Sequence, residues 1–245
     1  MADETGAWIG LFSGGKDSSY ALYRALERGL AVERLLTVHP KGDSYMYHVP
    51  ATELAGLAAE SIGIPLVDVE LAAFEAGTET DSASQGDAEV EPLERALGEL
   101  DAELDGGIAG LIAGAVESEF QTTRIEGVCD RLGCDLFAPL WRESPRELAE
   151  AMLEAGFDIR IVQVAAGGLD EDWLGRRWNE AALTELEALA ESHGVHLLGE
   201  GGEFETVVLD GPHMDRPIEW SVETEWDGTR GRLVVREASL AGDES

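Results

Sequence analysis

The sequence is poor in positive charge. Only Lys16 and Lys41 are lysines, and 17 basic residues face 50 acidic ones, for a net charge of −33. No direct nucleic-acid partner is expected at ordinary salt, because such binding rests on Lys and Arg neutralising phosphates. The acidic excess runs along the whole chain instead of forming a tail. That pattern suits a halophile, whose salt screens self-repulsion; the Debye length is about 3 Å at 1 M. A halophilic source in turn weakens the charge argument against RNA. Cysteine is also scarce. Cys129 and Cys134 are not a CxxC pair and have no further Cys to complete a metal set, so two reduced thiols near a helix end are expected. No apolar run approaches the roughly 20 residues that span a bilayer, so no membrane partner is expected. The first residues, Met1 to Gly6, are acidic and lack the basic start and apolar stretch of a secretory signal, which makes a cytoplasmic location the expectation.

What is present is a globular pattern. The 245 residues are 44% hydrophobic, enough for one large α/β domain or two modest ones. Ala7 to Phe12 reads as a buried strand, followed by a glycine loop and a helix from about Ser18 to Arg28. Further strands are read at Val32–Val38, Ile64–Leu71 and Ile108–Val116, with helical stretches between them. Strands alternating with helices imply a parallel sheet covered on both faces, the doubly wound α/β class. Gly77–Glu91, rich in Thr, Ser, Asp, Glu and Gly, reads as a flexible solvated insertion ahead of a helix over Pro92–Leu104. The second half turns to α+β. Helices are read at Pro145–Ala155 and Trp178–His193, and strands at Val195–Leu198, Phe204–Leu209, Ile218–Glu225 and Arg232–Ala238. The division expected is 1–135, a nucleotide-binding domain with its insertion near 77–91, and 136–245, a smaller substrate-binding domain.

The chemistry starts at Ser13-Gly14-Gly15-Lys16-Asp17-Ser18. It nearly matches the P-loop of kinases and GTPases, but Asp17 stands where that motif needs a magnesium-holding Ser or Thr. Gly14 and Gly15 let backbone amides converge on an anion, and the helix that follows offers its positive end. Ser13 and Ser18 add hydroxyls, and Lys16 adds charge for phosphates. Asp17 would repel bare phosphate, so it fits best with a magnesium ion between them. A glycine turn capping a helix is the bland alternative. Four matched residues in a strand–loop–helix context favour a nucleotide site, with Mg2+ beside Asp17.

The hexapeptide resembles the PP-loop class of ATP pyrophosphatases. Further segments narrow the resemblance: Asp43-Ser-Tyr-Met-Tyr47-His48-Val-Pro50, Gly114-Ala-Val-Glu-Ser-Glu-Phe-Gln121, Arg124-Ile-Glu-Gly-Val-Cys129, Val164-Ala-Ala-Gly-Gly-Leu169 and Gly199-Glu-Gly-Gly-Glu-Phe-Glu-Thr206. Together, from about Trp8 to Ile218, they resemble the diphthine–ammonia ligase family, here from a halophilic archaeal cell. That resemblance implies ATP-dependent adenylation of the diphthine carboxylate on elongation factor 2. Ammonium is the nitrogen source, and the products are diphthamide, AMP and pyrophosphate. It implies cofactor contacts from Ser13 to Ser18, His39, His48 and Gly114, with Asp17 as the metal ligand. Arg124 is expected to stabilise charge during adenylation, beside catalytic Lys16, Asp17, Glu203 and Glu205. Tyr47, Glu200, Gly201, Gly202, Glu203, Phe204, Glu205 and Thr206 are expected at the substrate, whose quaternary ammonium suits acidic and aromatic neighbours. Two rivals stay open, a tRNA-modifying PP-loop enzyme and a non-catalytic ATP sensor. A homo-oligomer stays open too.

Overall fold

The protein is described from a computed structural model that covers residues 6–39, 52–70 and 82–243. Its first half is a five-stranded parallel sheet of β1 (Ala7–Leu11), β2 (Val32–His39), β3 (Leu66–Glu70), β4 (Ile108–Ile112) and β5 (Asp135–Phe137), in the order β3-β2-β1-β4-β5. The helices are α1 (Lys16–Glu27), α2 (Thr52–Ile62), α3 (Ser82–Glu103) and α4 (Glu119–Leu132). The order reverses between β1 and β4. The crevice beyond the carboxyl ends of those two strands is where open α/β sheets take ligands.

Alternation along the strands sends neighbouring residues to opposite faces. Leu35 of β2 joins α1 and α2 residues such as Leu22 and Ala55 in one apolar cluster. Leu36, next in the chain, joins Leu93 and Leu97 of α3 and Val128 of α4 in another. The sheet is therefore covered by helices on both faces, as the sequence pattern predicts.

The second half places α5 (Pro145–Glu154) and α6 (Glu180–His193) against an antiparallel sheet in the order β7-β6-β9-β8. Its strands are β6 (Asp158–Val164), β7 (Phe204–Asp210), β8 (Ile218–Trp226) and β9 (Gly231–Leu240). Ser144 caps α5, with Pro145 in its first turn, and Asn179 caps α6, as N-terminal helix signals require. The α1–α2 cluster continues through Phe157, Ile159, Val207 and Leu240, so one apolar core joins the two sheets.

Two elements differ from the sequence reading. Ser82–Glu91 is not a loose insertion but the first part of α3, which runs through Pro92 to Glu103. Its polar residues hid the periodicity, while Val90, Leu93, Leu97 and Leu100 bury the apolar side of the helix. Val195–Leu198 is not a strand. It opens a turn that runs to Glu203, with Val195 and Leu198 buried.

Candidate functional site

Three segments meet beyond the carboxyl ends of β1 and β4. The first is Ser13–Ser18, between β1 and α1. The Ser13 amide donates to Ser18 Oγ at 3.2 Å, and Ser18 Oγ donates to the Gly15 carbonyl at 3.1 Å. The two serines thus tie the loop to itself. Gly14 takes φ +79°, a left-handed conformation open to glycine at no steric cost. Gly15 begins α1 without a side-chain cap, which leaves the first turn of the helix suited to an anion.

The second segment follows β4. A Cβ on Gly114 would lie 2.6 Å from the Asp17 carbonyl carbon and 2.7 Å from the Ser18 amide nitrogen. Gly114 therefore lets the β4 loop press on the start of α1. The sequence reading assigns it to the nucleotide, and here it touches the phosphate loop itself.

The third segment is His196–Thr206, which comes from the other half of the chain. β7 is an edge strand of its sheet, and the phosphate loop covers that edge. The Val208 amide donates to the Gly14 carbonyl at 2.9 Å, and the Lys16 amide donates to Thr206 Oγ1 at 3.3 Å. Lys16 is 3% exposed. Its ammonium donates to the Leu198 carbonyl at 2.5 Å and to Asp17 Oδ2 at 2.7 Å. An ammonium has three N–H donors, so one remains for an anion. The sequence reading has Lys16 serving phosphate alone; the structure makes it a bridge between the two halves, because a buried ammonium needs partners.

Glu200 lies at the rim, where its Oε2 accepts the Glu117 amide at 3.3 Å. Its side chain as a whole is exposed. Even so, protein packed around the carboxyl and the nearby Asp17 charge push it up to about 6, while Lys16 pulls the other way. Asp17 Oδ1 is buried with no hydrogen-bond partner. Among the described residues no three His, Cys, Asp or Glu side chains group to hold a metal.

Three residues expected at the substrate make contacts that hold the fold. Phe204 is 2% exposed and sits in the core, 5.9 Å from the Lys16 ammonium. Thr206 is buried and its hydroxyl accepts the Lys16 amide. Glu203 accepts the His196 amide at 2.9 Å on one oxygen and the Gly201 amide at 2.8 Å on the other, which makes it a support of its own turn. Glu205 alternates with Phe204 and Thr206 along β7 and so projects to the opposite face. Gly201 and Gly202 lie in the turn, and Gly202 has φ +77°. Arg124 stands half-buried on α4, the helix entered from the Gly114 loop. His39 ends β2, whereas Tyr47 and His48 lie outside the described residues. Cys129 packs on the sheet face away from α1, so it is not part of this site.

His196 and Glu117 were missed by the sequence reading. His196 Nδ1 accepts the Leu198 amide at 3.2 Å, and its Nε2 lies 3.6 Å from Glu117 Oε2. The signal was weak, since His196 sat inside an apolar run that read as a strand.

Both halves of the chain match known proteins. Residues 6–136 match the diphthamide synthase N-terminal domain and residues 144–241 the diphthamide synthase C-terminal domain. The diphthine–ammonia ligase of Danio rerio is 34% identical over 218 residues, covering 86% of this chain and 84% of that protein. The diphthine–ammonia ligase of Rattus norvegicus is 36% identical over 219 residues, covering 85% and 80%. With both halves matched, the chain belongs to the diphthamide synthase family, whose named relatives are diphthine–ammonia ligases.

Proposed function

We propose that the chain amidates the diphthine carboxylate of elongation factor 2, using ATP and ammonium. The observation that carries this reading is the docking of the Gly199–Thr206 turn on the phosphate loop through Lys16, Thr206 and Val208. An acyl group held at that turn meets ATP at its phosphates. The division of labour is part of the proposal: residues 1–135 hold the nucleotide and 136–245 present the second substrate.

The carboxylate oxygen attacks the α-phosphorus, and the bond from that phosphorus to the bridging oxygen of pyrophosphate breaks. Pyrophosphate leaves, and the acyl-adenylate remains. Ammonia then attacks the acyl carbon and AMP leaves with the electron pair of the broken C–O bond. The first-turn amides of α1 beyond Lys16, whose own amide is held by Thr206, and the remaining N–H of the Lys16 ammonium bind the phosphates. Arg124 opposes the charge that develops as pyrophosphate departs. Glu200 and Glu205 bring carboxylates to the cationic substrate and to ammonium, which must shed a proton before it can attack. Glu203 and Thr206 hold the turn that positions them.

The buried, unpartnered Asp17 Oδ1 fits a hard cation. Asp17 would hold magnesium together with phosphate oxygens, and magnesium when bound neutralises phosphate charge. Among the described residues no helix is long and apolar enough to cross a membrane. A cytoplasmic, high-salt setting completes the proposal.

The test is mass spectrometry of elongation factor 2 from cells lacking this protein, followed by reconstitution. Accumulated diphthine, converted to diphthamide with one AMP per amide when the purified chain, ATP and ammonium are added, is the expected result. Normal diphthamide in the deleted cells removes the reading.

A further inference from the structure

We propose that His196 is a positioning residue of the ATP site, acting through the Leu198 carbonyl on the Lys16 ammonium. The inference rests on the nucleotide-binding part of the proposed function.

The turn from His196 to Glu203 contains neither helix nor strand. The Gly199 and Gly202 amides close it on the His196 and Gly199 carbonyls, and side chains hold the amides between them. His196 Nδ1 faces two donors, the Leu198 amide at 3.2 Å and the Glu200 amide at 3.4 Å. An imidazole nitrogen between two N–H groups must act as acceptor, which leaves the ring proton of the neutral form on Nε2. That nitrogen lies 3.6 Å from Glu117 Oε2, on the loop after β4. The backbone amide of His196 is itself held by Glu203. One ring therefore fixes the turn from inside and leans on the loop that presses against α1.

The consequence falls on Lys16. Held between the amide bonded to Nδ1 and the start of the Gly199 turn, Leu198 aims its carbonyl at the buried ammonium. With almost no access to water, Lys16 depends on that carbonyl and on Asp17 for its geometry. Without the Nδ1 acceptor, two amides lose their partner, the turn relaxes and the Leu198 carbonyl moves off Lys16. The ammonium then no longer presents its third N–H in a fixed direction, and the benefit of preorganisation to phosphate binding is lost.

The side-chain atom responsible can be distinguished by substitution. The Asn carbonyl oxygen reaches the place of Nδ1, whereas that of Gln extends to the place of Nε2. ATP affinity is measured by titration calorimetry on the full chain for wild type, His196→Asn, His196→Gln and His196→Ala, with melting temperatures alongside. The expected result is His196→Asn within about threefold of wild type and His196→Gln and His196→Ala weaker by about tenfold, with Asn and Gln variants melting alike. His196→Asn as weak as His196→Gln, or His196→Ala as tight as wild type, overturns the proposal. If His196→Ala does not fold, the Asn–Gln contrast decides alone. A wild-type chain that binds ATP but makes no diphthamide defeats the ligase reading, while these affinities still judge His196.

Discussion

The Lys16 ammonium donates to the Leu198 carbonyl at 2.5 Å, across 182 residues of sequence. The phosphate loop and the glycine-rich turn are therefore one structure, and a change in either is transmitted to the other. Lys16→Met removes the cation and leaves Asp17 and Leu198 without their partner. The expected outcome is loss of AMP formation together with a stability loss of roughly 1–3 kcal/mol. Urea denaturation beside an AMP assay checks both. An active variant of wild-type stability contradicts the bridge.

Glu203 and Glu205 are two residues apart in sequence and differ in role. The Glu203 oxygens each accept a backbone amide of the turn, whereas Glu205 lies on the other face of β7. Glu203→Gln replaces one acceptor by an NH2 group that faces an N–H donor. It is expected to weaken ATP binding about tenfold, through the turn and Lys16. Glu205→Gln is expected to leave ATP binding unchanged and to lower only diphthamide formation. Equal ATP affinities in the two variants refute this assignment.

The strand–glycine loop–helix at Ser13–Ser18 was legible because its glycines and its place between an apolar run and a helical pattern point one way. The parallel sheet was legible from its apolar strands for the same reason. What could not be read was which polar residues of Gly199–Thr206 face inward. Phe204 and Thr206 looked like ligand contacts because they sit in a charged, glycine-rich segment. Thr206 is covered by the loop docked on the β7 edge and Phe204 packs in the apolar core, long-range contacts without a local pattern. His196 was lost for a similar reason, since only the folded turn brings two amides to its ring.

Gly114 has no room for a side chain. Its added Cβ would meet backbone of Asp17 and Ser18 at 2.6–2.8 Å, and backbone gives way less easily than a side chain. Gly114→Ala is expected to push the β4 loop off the start of α1, costing about 1–3 kcal/mol and about tenfold in ATP affinity. A variant that binds ATP like wild type shows that the loop tolerates the methyl group.

His213 gives the fold a dependence on pH. Burial pushes its imidazole down to about 4, and neither ring nitrogen has a hydrogen-bond partner. The ring stands 5.3 Å from Phe157 and 6.2 Å from Tyr23. In the unfolded chain the same group titrates near 6.5, so between about 6.5 and 4 the unfolded state binds a proton that the folded state does not. This contribution is present above about pH 6.5 and is lost as the pH falls toward 4. Relative to His213→Leu, wild type is expected to lose roughly 1 kcal/mol between pH 7 and 5.5. A stability difference that stays constant over this range contradicts the assignment.

The net charge of −33 makes salt the last test. Exposed ion pairs such as Arg146–Glu180 and Arg236–Glu223 are each worth little and weaken as salt rises. The repulsion among the excess carboxylates acts over longer distances and is unpaired in aggregate. At 0.1 M salt the Debye length is about 10 Å, long enough for neighbouring carboxylates to repel, and at 1 M it is about 3 Å. Screening should therefore remove more repulsion than attraction. The expected outcome is a melting temperature that rises by at least about 5 °C between 0.1 and 2 M KCl, equivalent to roughly 1–2 kcal/mol for a chain of this size. A flat or falling melting curve across that series shows that attraction among the surface pairs outweighs the repulsion, and it removes the argument for a high-salt cytoplasm.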